Sequence, residues 1–147
     1  MAIRRSTGLR TALASTSGIK EILDGGFLDL FTMSQPISAD YVETGTKLVR
    51  ISSTSGTGAT DGLRFGTSAA GVLPSTTPAW SGVVITAGVA GWGRFYGTKG
   101  TSGTSGTTER FDMSVGVAGA DLNLSHTNLV VGSVLTISTF NITEPME

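Results

Sequence analysis

The sequence contains no cysteine, which excludes disulfide bonds and thiolate metal sites as sources of stability. It has a single histidine, His126, so no histidine cluster is available to hold a metal ion. Charged residues make up only 14% of the chain and the net charge is −1, which argues against a general nucleic-acid-binding surface. Because no run of about 18 apolar residues occurs, we predict no membrane-spanning helix. Polar residues interrupt the segment after the first arginines, so we also predict no secretory signal.

Small and polar residues take the place of these missing groups. The chain has 21 glycines, 22 threonines and 17 serines among its 147 residues. Threonine favours strands, whereas glycine and serine favour turns. Strong helix formers do not dominate, so the composition indicates an all-β sandwich or barrel in a single domain.

Residues 83–117 are the segment around which we expect the rest of the chain to be arranged. Candidate strands at 88–96 and 109–117 flank a Gly/Ser/Thr loop at 97–106, and the three together predict a long hairpin with a mobile, exposed tip. Apolar residues alternate with polar residues or glycine in the second strand, which predicts one buried and one solvated face. The first strand places Trp92, Arg94 and Tyr96 on one face. Across the hairpin, an exposed ion pair could join Arg94 or Arg110 to Glu109 or Asp112.

Further strand patterns occur along the chain, at 27–31, 46–52, 63–65, 80–87, 122–124, 129–131 and 134–142. In the last of these, Leu135 and Ile137 are out of phase with Phe140 and Ile142, which predicts a bulge or bend near residues 138–139. The Gly/Ser/Thr-rich segment 53–62 is predicted to be a flexible loop.

The N-terminal residues have a different pattern from the rest. We predict an arm over residues 1–16 that is extended or has one weak turn around residues 9–14. A short helix follows, which Ser17 caps and which ends at Gly25 and Gly26. The predicted fold is all-β: a jelly-roll-like two-sheet sandwich of about eight strands with an extended N-terminal arm and one short helix. Residues 1–26 form the arm and short helix, and residues 27–147 the β-sandwich domain.

Basic residues are concentrated at the N-terminus. Arg4, Arg5, Arg10 and Lys20 lie in the first twenty residues without any acid, whereas the remainder has six basic and eleven acidic residues. Such a segment suits docking onto an acidic neighbour, and a merely solvated tail is the alternative.

Catalytic patterns are weak throughout the sequence. His126 lies in a predicted turn, and pairing it with Asp121 and one of the many serines carries no information without a Gly-x-Ser-x-Gly elbow. Asp112 and Asp121 are interpreted as strand and turn residues, and the glycine-rich segments 56–62 and 97–100 lack the spacing of phosphate-binding loops. Trp92 and Tyr96 suit either packing or a stacking platform for a base or sugar. We therefore expect a structural or binding protein, not an enzyme, with no cofactor and no metal.

Several segments resemble those of small virion proteins of tailed bacteriophages, namely 6–14, 18–26, 34–40, 44–48, 90–96, 110–112 and 138–143. Within that group the chain is most similar, in size and predicted architecture, to the capsid cement, or decoration, proteins. The resemblance implies a jelly-roll or related sandwich that binds the outside of the mature head and bridges neighbouring major capsid subunits.

The resemblance also implies partners and a location. The expected partners are the major capsid protein and further copies of the chain, as a dimer or trimer, without direct contact to nucleic acid or membrane. The expected location is the outer capsid surface of the virion, after synthesis in the bacterial host cytoplasm. A phage tail or neck component is the alternative, and a carbohydrate-binding module or small hydrolase is the alternative from a different class. Six residues are the candidates for partner binding: Arg4, Arg5, Arg10, Trp92, Arg94 and Tyr96.

Overall fold

The computed structural model describes residues 3–15, 18–52, 62–75, 80–97, 101–137 and 139–143. Within these residues the chain forms twelve strands and two helices. The strands are β1 (Arg4–Arg5), β2 (Phe27–Phe31), β3 (Lys47–Ile51), β4 (Val72–Pro74), β5 (Trp80–Val83), β6 (Gly88–Val89), β7 (Trp92–Tyr96), β8 (Arg110–Gly116), β9 (Leu122–Asn123), β10 (Asn128–Leu129), β11 (Val134–Ile137) and β12 (Asn141–Thr143). The helices are α1 (Thr7–Ser15) and α2 (Ile19–Leu23). Neither helix, nor any other in the described ranges, is long and apolar enough to cross a bilayer.

The strands form an all-β sandwich, as the composition predicted. The main sheet has the order β1-β8-β7-β2-β3 with antiparallel neighbours, and β9 adds to β8 in parallel. The remaining strands pair as the ladders β5–β11, β4–β12 and β6–β10. Isolated bridges from Val49 to Val84 and from Ser52 to Ser81 join β3 to the β5 segment.

The hydrophobic core lies between these ladders and the inner face of the main sheet. Phe95 and Phe111, neighbours on β7 and β8, stack with ring centroids 5.4 Å apart. Trp80 of β5 packs against Phe95 at 5.9 Å, and Phe140, which precedes β12, lies 6.4 Å from Phe111. These aromatic contacts join the two layers of the sandwich.

The pairing of the two hairpin strands and the phase shift are both confirmed. The predicted strand 88–96 divides into β6 and β7, and Thr101 and Gly103 of the loop predicted to be mobile are hydrogen-bonded to Arg110 and Glu43. Strands β7 and β8 pair antiparallel, with Arg94 opposite Asp112. The pattern at 134–142 divides into β11 and β12, and Leu135, Ile137, Phe140 and Ile142 are all buried. Four of the twelve strands have only two residues, which leaves eight longer ones, in agreement with the predicted number.

The prediction of an extended N-terminal arm is wrong. Arg4 and Arg5 pair with β8 as an edge strand, and Thr7–Ser15 forms a helix whose first turn is capped by the Ser6 Oγ, which accepts a hydrogen bond from the Leu9 N–H at 3.1 Å. Leu9 is fully buried in the core, and this tertiary contact stabilises a full helix where the local pattern predicted at most one weak turn. The short helix at 19–23 is confirmed, with Gly18 at its N-cap; the predicted cap, Ser17, lies outside the described residues, as does the loop over residues 53–61.

Candidate functional site

A row of alternating charges crosses the outer face of the main sheet. Its members are Arg4, Asp112, Arg94, Asp29 and Arg50, one from each of β1, β8, β7, β2 and β3. Each is the direct cross-strand partner of the next, and direct partners project from the same face of a sheet. We call this row the charge ladder.

The centre of the charge ladder is buried, although the alternation in β8 predicted a solvated face. Arg94 donates from Nε and Nη2 to the two carboxylate oxygens of Asp112 at 2.5 and 2.8 Å, and both side chains are 0% exposed. Arg50 binds Asp29 in the same two-pronged manner at 2.8 and 2.9 Å. Burial raises the pKa of Asp112, while the hydrogen bonds and positive charge of Arg94 oppose that rise. The pair that the sequence predicted is therefore present, but inside the protein instead of on its surface.

Aromatic pairs flank the charge ladder on both sides. Trp92 stacks on Phe31 with ring centroids 4.6 Å apart, and Tyr96 stacks on Phe27 at 4.8 Å. The Arg50 guanidinium lies 4.0 Å from the centre of the Phe27 ring. These rings shield the charged groups from water and strengthen the electrostatic interactions between them.

The segment between β2 and β3 covers this face of the sheet, and we call residues 33–44 the anchored loop. Side chains of β7 and β8 donate hydrogen bonds to its backbone carbonyls. Arg110 Nε binds the Ala39 oxygen at 2.6 Å, Arg94 Nη1 binds the Tyr41 oxygen at 2.8 Å, and Trp92 Nε1 binds the Thr44 oxygen at 3.1 Å. The loop has no regular secondary structure, and these contacts fix its backbone.

One acidic side chain of the anchored loop points back into the site. The Glu43 carboxylate accepts hydrogen bonds from the Tyr96 hydroxyl at 2.6 Å, from the Gly103 N–H at 3.1 Å and from Arg94 at 3.2 Å. Burial on its own raises the pKa of Glu43, but these hydrogen bonds and the charge of Arg94 outweigh it and hold the pKa below its ordinary value. Burial and the Glu43 charge raise the pKa of Tyr96, so its hydroxyl stays protonated and donates. The described end of the 97–106 loop is thus tied to the site by Gly103.

The N-terminal segment holds the other end of the anchored loop. Arg4 Nη1 donates to the Pro36 oxygen at 2.5 Å. At the start of α1, the backbone N–H and Oγ1 of Thr7 donate to the Asp40 carboxylate at 2.7 and 2.5 Å. Asp40 therefore caps the positive end of the helix, and the hydrogen bonds from Thr7 outweigh the effect of burial and lower its pKa.

The outward side of the anchored loop is apolar. Met33, Ile37, Tyr41 and Val42 are 71%, 81%, 52% and 54% exposed, and we call them the apolar loop face. Met33 also has a φ of 71°, a conformation that side chains other than glycine adopt at an energetic cost. A firmly held backbone that exposes four large apolar side chains is the strongest candidate binding surface in the described residues.

The six residues predicted to bind a partner lie in different environments, some buried and some exposed. Trp92, Arg94 and Tyr96 are at most 1% exposed and contact the anchored loop of their own chain, which corrects the expectation that they contact a partner. Arg4 is half-buried in the charge ladder, and only Arg5 and Arg10 line an open cleft. The apolar loop face was missed because no binding role was assigned from the sequence to the segment between the strand patterns at 27–31 and 46–52. The signal available was the four apolar residues in a segment without strand or helix periodicity.

The other titratable candidates serve local structure. The Asp121 carboxylate accepts hydrogen bonds from the N–H and Oγ of Ser114 at 3.0 and 3.1 Å. His126 is exposed, and its Nδ1 lies 3.1 Å from the Ser125 Oγ. Among the described residues, no group of three or more histidine, aspartate or glutamate side chains is placed to hold a metal ion.

Comparison of the chain with models of protein families, with curated proteins and with solved structures finds no match.

Proposed function

We propose that the protein is a non-enzymatic structural component of a phage virion, which binds the outside of the capsid and cements neighbouring major capsid subunits. The phage context comes from the sequence resemblance. The observation that carries the binding role is the apolar loop face, four exposed apolar side chains on a backbone that the charge ladder and Arg110 hold from beneath.

Rigidity is the property that makes this surface suitable for binding. A partner that docks on a flexible loop must first order it, which lowers the affinity, whereas the anchored loop is ordered before binding. Tyrosine and large aliphatic side chains on such a surface provide contact area that is desolvated on association. Binding only the assembled shell then shifts the equilibrium against disassembly, and many copies around one particle add through avidity.

A tail or neck component is the second structural candidate, since the same surface would serve it equally well. The carbohydrate-binding alternative depended on an exposed platform of Trp92 and Tyr96, and the burial of both rings removes the reason for it.

The test uses particles that lack the protein and purified protein added back. We expect Ile37→Asp to reduce attachment in co-sedimentation by about 2 kcal/mol or more, because a carboxylate replaces an interface anchor. Val117→Asp is the matched control, since Val117 is 62% exposed but lies outside the apolar loop face. Both variants should melt at the temperature of the unaltered protein, and normal attachment of Ile37→Asp would refute this role for the loop.

A second measurement distinguishes head from tail. Particles with and without the protein are heated, and release of the genome is followed. A cement protein should raise the release temperature, because contacts that bridge two capsid subunits must break before they separate. Equal release temperatures with a loss of tail attachment would favour the tail or neck alternative.

A further inference from the structure

Strand β11 lies at an edge of the sandwich. Its ladder partner is β5, which on its other side contacts the β3 segment through the bridges from Ser52 to Ser81 and from Val49 to Val84. Among the strands of the described ranges, β5 is the sole partner of β11. The backbone of β11 therefore has one side in a ladder and one side open to a further strand.

The hydrogen bonds of β5 show which backbone groups of β11 point to the open side. The Ser81 N–H donates to the Ser52 oxygen at 3.4 Å, and the Ser81 oxygen accepts from the Ser52 N–H at 3.2 Å. Ser81 is also directly opposite Thr136 of β11. Because opposite residues of an antiparallel pair alternate between hydrogen-bonded and non-hydrogen-bonded pairs, Ser81 and Thr136 form a pair of the second kind. The N–H and C=O of Thr136 thus point away from β5, and so do those of Val134, two residues earlier.

The open edge carries none of the features by which proteins usually block the addition of a strand. Charged side chains and proline are the common protection of an edge. Residues 127–143 include neither, and nor do residues 80–90 of the neighbouring segment. The side chains of Val134 and Thr136 are exposed, and both are β-branched residues that favour strands. The edge is therefore suited to pairing with another chain.

A second copy of the chain is the occupant that this edge fits. Two identical antiparallel strands pair across a two-fold axis, so each copy donates and accepts through the same residues. With Leu135 on the axis, Val134 of one copy lies opposite Thr136 of the other, and every backbone group that these residues leave open is paired. Val130, Val131 and Val134, at 63%, 58% and 59% exposed, add apolar surface to the edge. A surface without charge does not repel its own copy, and it offers no charge complementarity to an acidic or basic partner.

From these features we propose that the protein forms a two-fold symmetric dimer in which β11 pairs antiparallel with β11 of a second copy. The pairing joins β5 and β11 of the two copies into one continuous sheet. It uses residues of β11 and not those of the anchored loop, so self-association and attachment to a particle are separate properties.

The first test removes one open N–H and keeps the ladder within each copy. Thr136→Pro loses the N–H that points away from β5, and proline is tolerated at such edge positions. Size-exclusion chromatography with light scattering should give twice the 15.0 kDa of one chain for the unaltered protein, and a single chain for Thr136→Pro. Thr136→Val is the matched control, since it keeps the N–H and the branched side chain and should remain a dimer. A monomeric unaltered protein, or a Thr136→Pro variant that is folded by circular dichroism and still dimeric, would overturn the proposal.

Disulfide cross-linking tests the register and does not depend on the proline variant. The chain has no cysteine, so Val134→Cys and Thr136→Cys each introduce a single thiol. Directly opposite residues of paired strands lie within the Cα–Cα range of a disulfide, about 4.4–6.8 Å. An equimolar mixture of the two variants, assembled in reducing buffer and then air-oxidised, should therefore form a cross-linked dimer, and either variant alone should react far more slowly.

Val117→Cys is the control for this experiment, because Val117 is 62% exposed but lies outside β11. If it cross-links as fast as the mixture, the reaction reports random collision and the proposed pairing is wrong. If Val134→Cys or Thr136→Cys alone reacts as fast as the mixture, the register about Leu135 is wrong.

Hydrogen exchange distinguishes strand pairing from contact through side chains alone. In the dimer the amides of Val134 and Thr136 should exchange slowly, and dilution to the monomer should make them exchange fast. The amides of Leu135 and Ile137, which face β5, should stay protected at both concentrations. Unchanged exchange of Val134 and Thr136 on dilution would contradict strand pairing. All of these measurements use the protein without particles, so their outcome is independent of the virion role.

Discussion

At the residue scale, the Arg94–Asp112 pair shows why a buried charge acts differently from an exposed one. Both side chains are fully buried, so water cannot replace a lost partner. Removal of Asp112 alone leaves Arg94 buried without its two-pronged partner. Removal of both residues avoids that unpaired charge, but the Tyr41 oxygen and Glu43 then lose the Arg94 donor. The pair therefore affects stability mainly because each buried charge requires the other as its partner.

We expect Asp112→Ala to lower the free energy of unfolding by about 3–5 kcal/mol, because Arg94 would remain buried without its partner. The double variant Arg94→Met/Asp112→Leu should recover much of this loss. His126→Ala is the control, and it should change the free energy by less than about 0.5 kcal/mol because the side chain is exposed. Urea unfolding measures all three, and a double variant as unstable as Asp112→Ala would show that Arg94 stabilises the fold through the Tyr41 oxygen and Glu43 as much as through Asp112.

At the scale of elements, the anchored loop is ordered by side-chain hydrogen bonds instead of by secondary structure. The buried Arg110 donates to the Ala39 oxygen and also to the Thr101 oxygen, the latter at 2.6 Å. It therefore joins the anchored loop to the described end of the β7–β8 connection. Glu43 links the same two segments from the other side through Gly103. Side chains of the same two strands, β7 and β8, therefore hold both loops.

The lowered pKa of Glu43 predicts an acid-sensitive anchored loop. The folded state keeps Glu43 ionised more readily than the unfolded chain does. The contribution of Glu43 to stability is therefore fully present above the ordinary glutamate pKa of about 4.3. It is lost as the pH falls through the lower pKa that Glu43 has in the folded protein. Hydrogen exchange of residues 33–44 should therefore accelerate in that acidic range relative to the core strands.

Glu43→Gln serves as the control for this prediction. It should weaken the loop near neutral pH and reduce the acid-dependent change, because the titrating group is gone. Asp40 is present in both proteins, so its contribution cancels in the comparison. The pKa of Asp112 is lower in the variant, because the Glu43 charge is one of the groups that raise it. An identical pH dependence in the two proteins would contradict the role assigned to Glu43.

At the scale of the whole molecule, a second apolar surface accompanies the apolar loop face. The segments 83–89 and 128–134 run antiparallel, with Val83 opposite Val134 and Val89 opposite Asn128. Five aliphatic residues on them are 44–63% exposed: Ile85, Val89, Val130, Val131 and Val134. We call this surface the valine rim. A protein that works as repeated copies can use such a surface for contact between copies, in a closed symmetric arrangement.

We expect Val134→Asp to shift the protein from an oligomer to a monomer in size-exclusion chromatography with light scattering, because a carboxylate would be buried at the contact between copies. Ile37→Asp, in the apolar loop face, should leave the mass unchanged. If the unaltered protein is a monomer at high concentration, the valine rim has no role in self-association in solution.

The sequence alone determined those features that depend on neighbouring residues along the chain. The alternation in β8, the phase change between Ile137 and Phe140 and the glycines after α2 predicted the hairpin, the break before β12 and the end of the helix, because strand and helix periods are local properties. The tertiary structure decided the rest. Arg4, Asp29, Arg50, Arg94 and Asp112 become a ladder only when five strands pair in one register, and no local pattern specifies that register. Helix α1 is stabilised by Leu9, which packs into a core formed by strands that are distant in sequence. The anchored loop covers the polar face of β8, so that side chains with a surface-like alternation become buried.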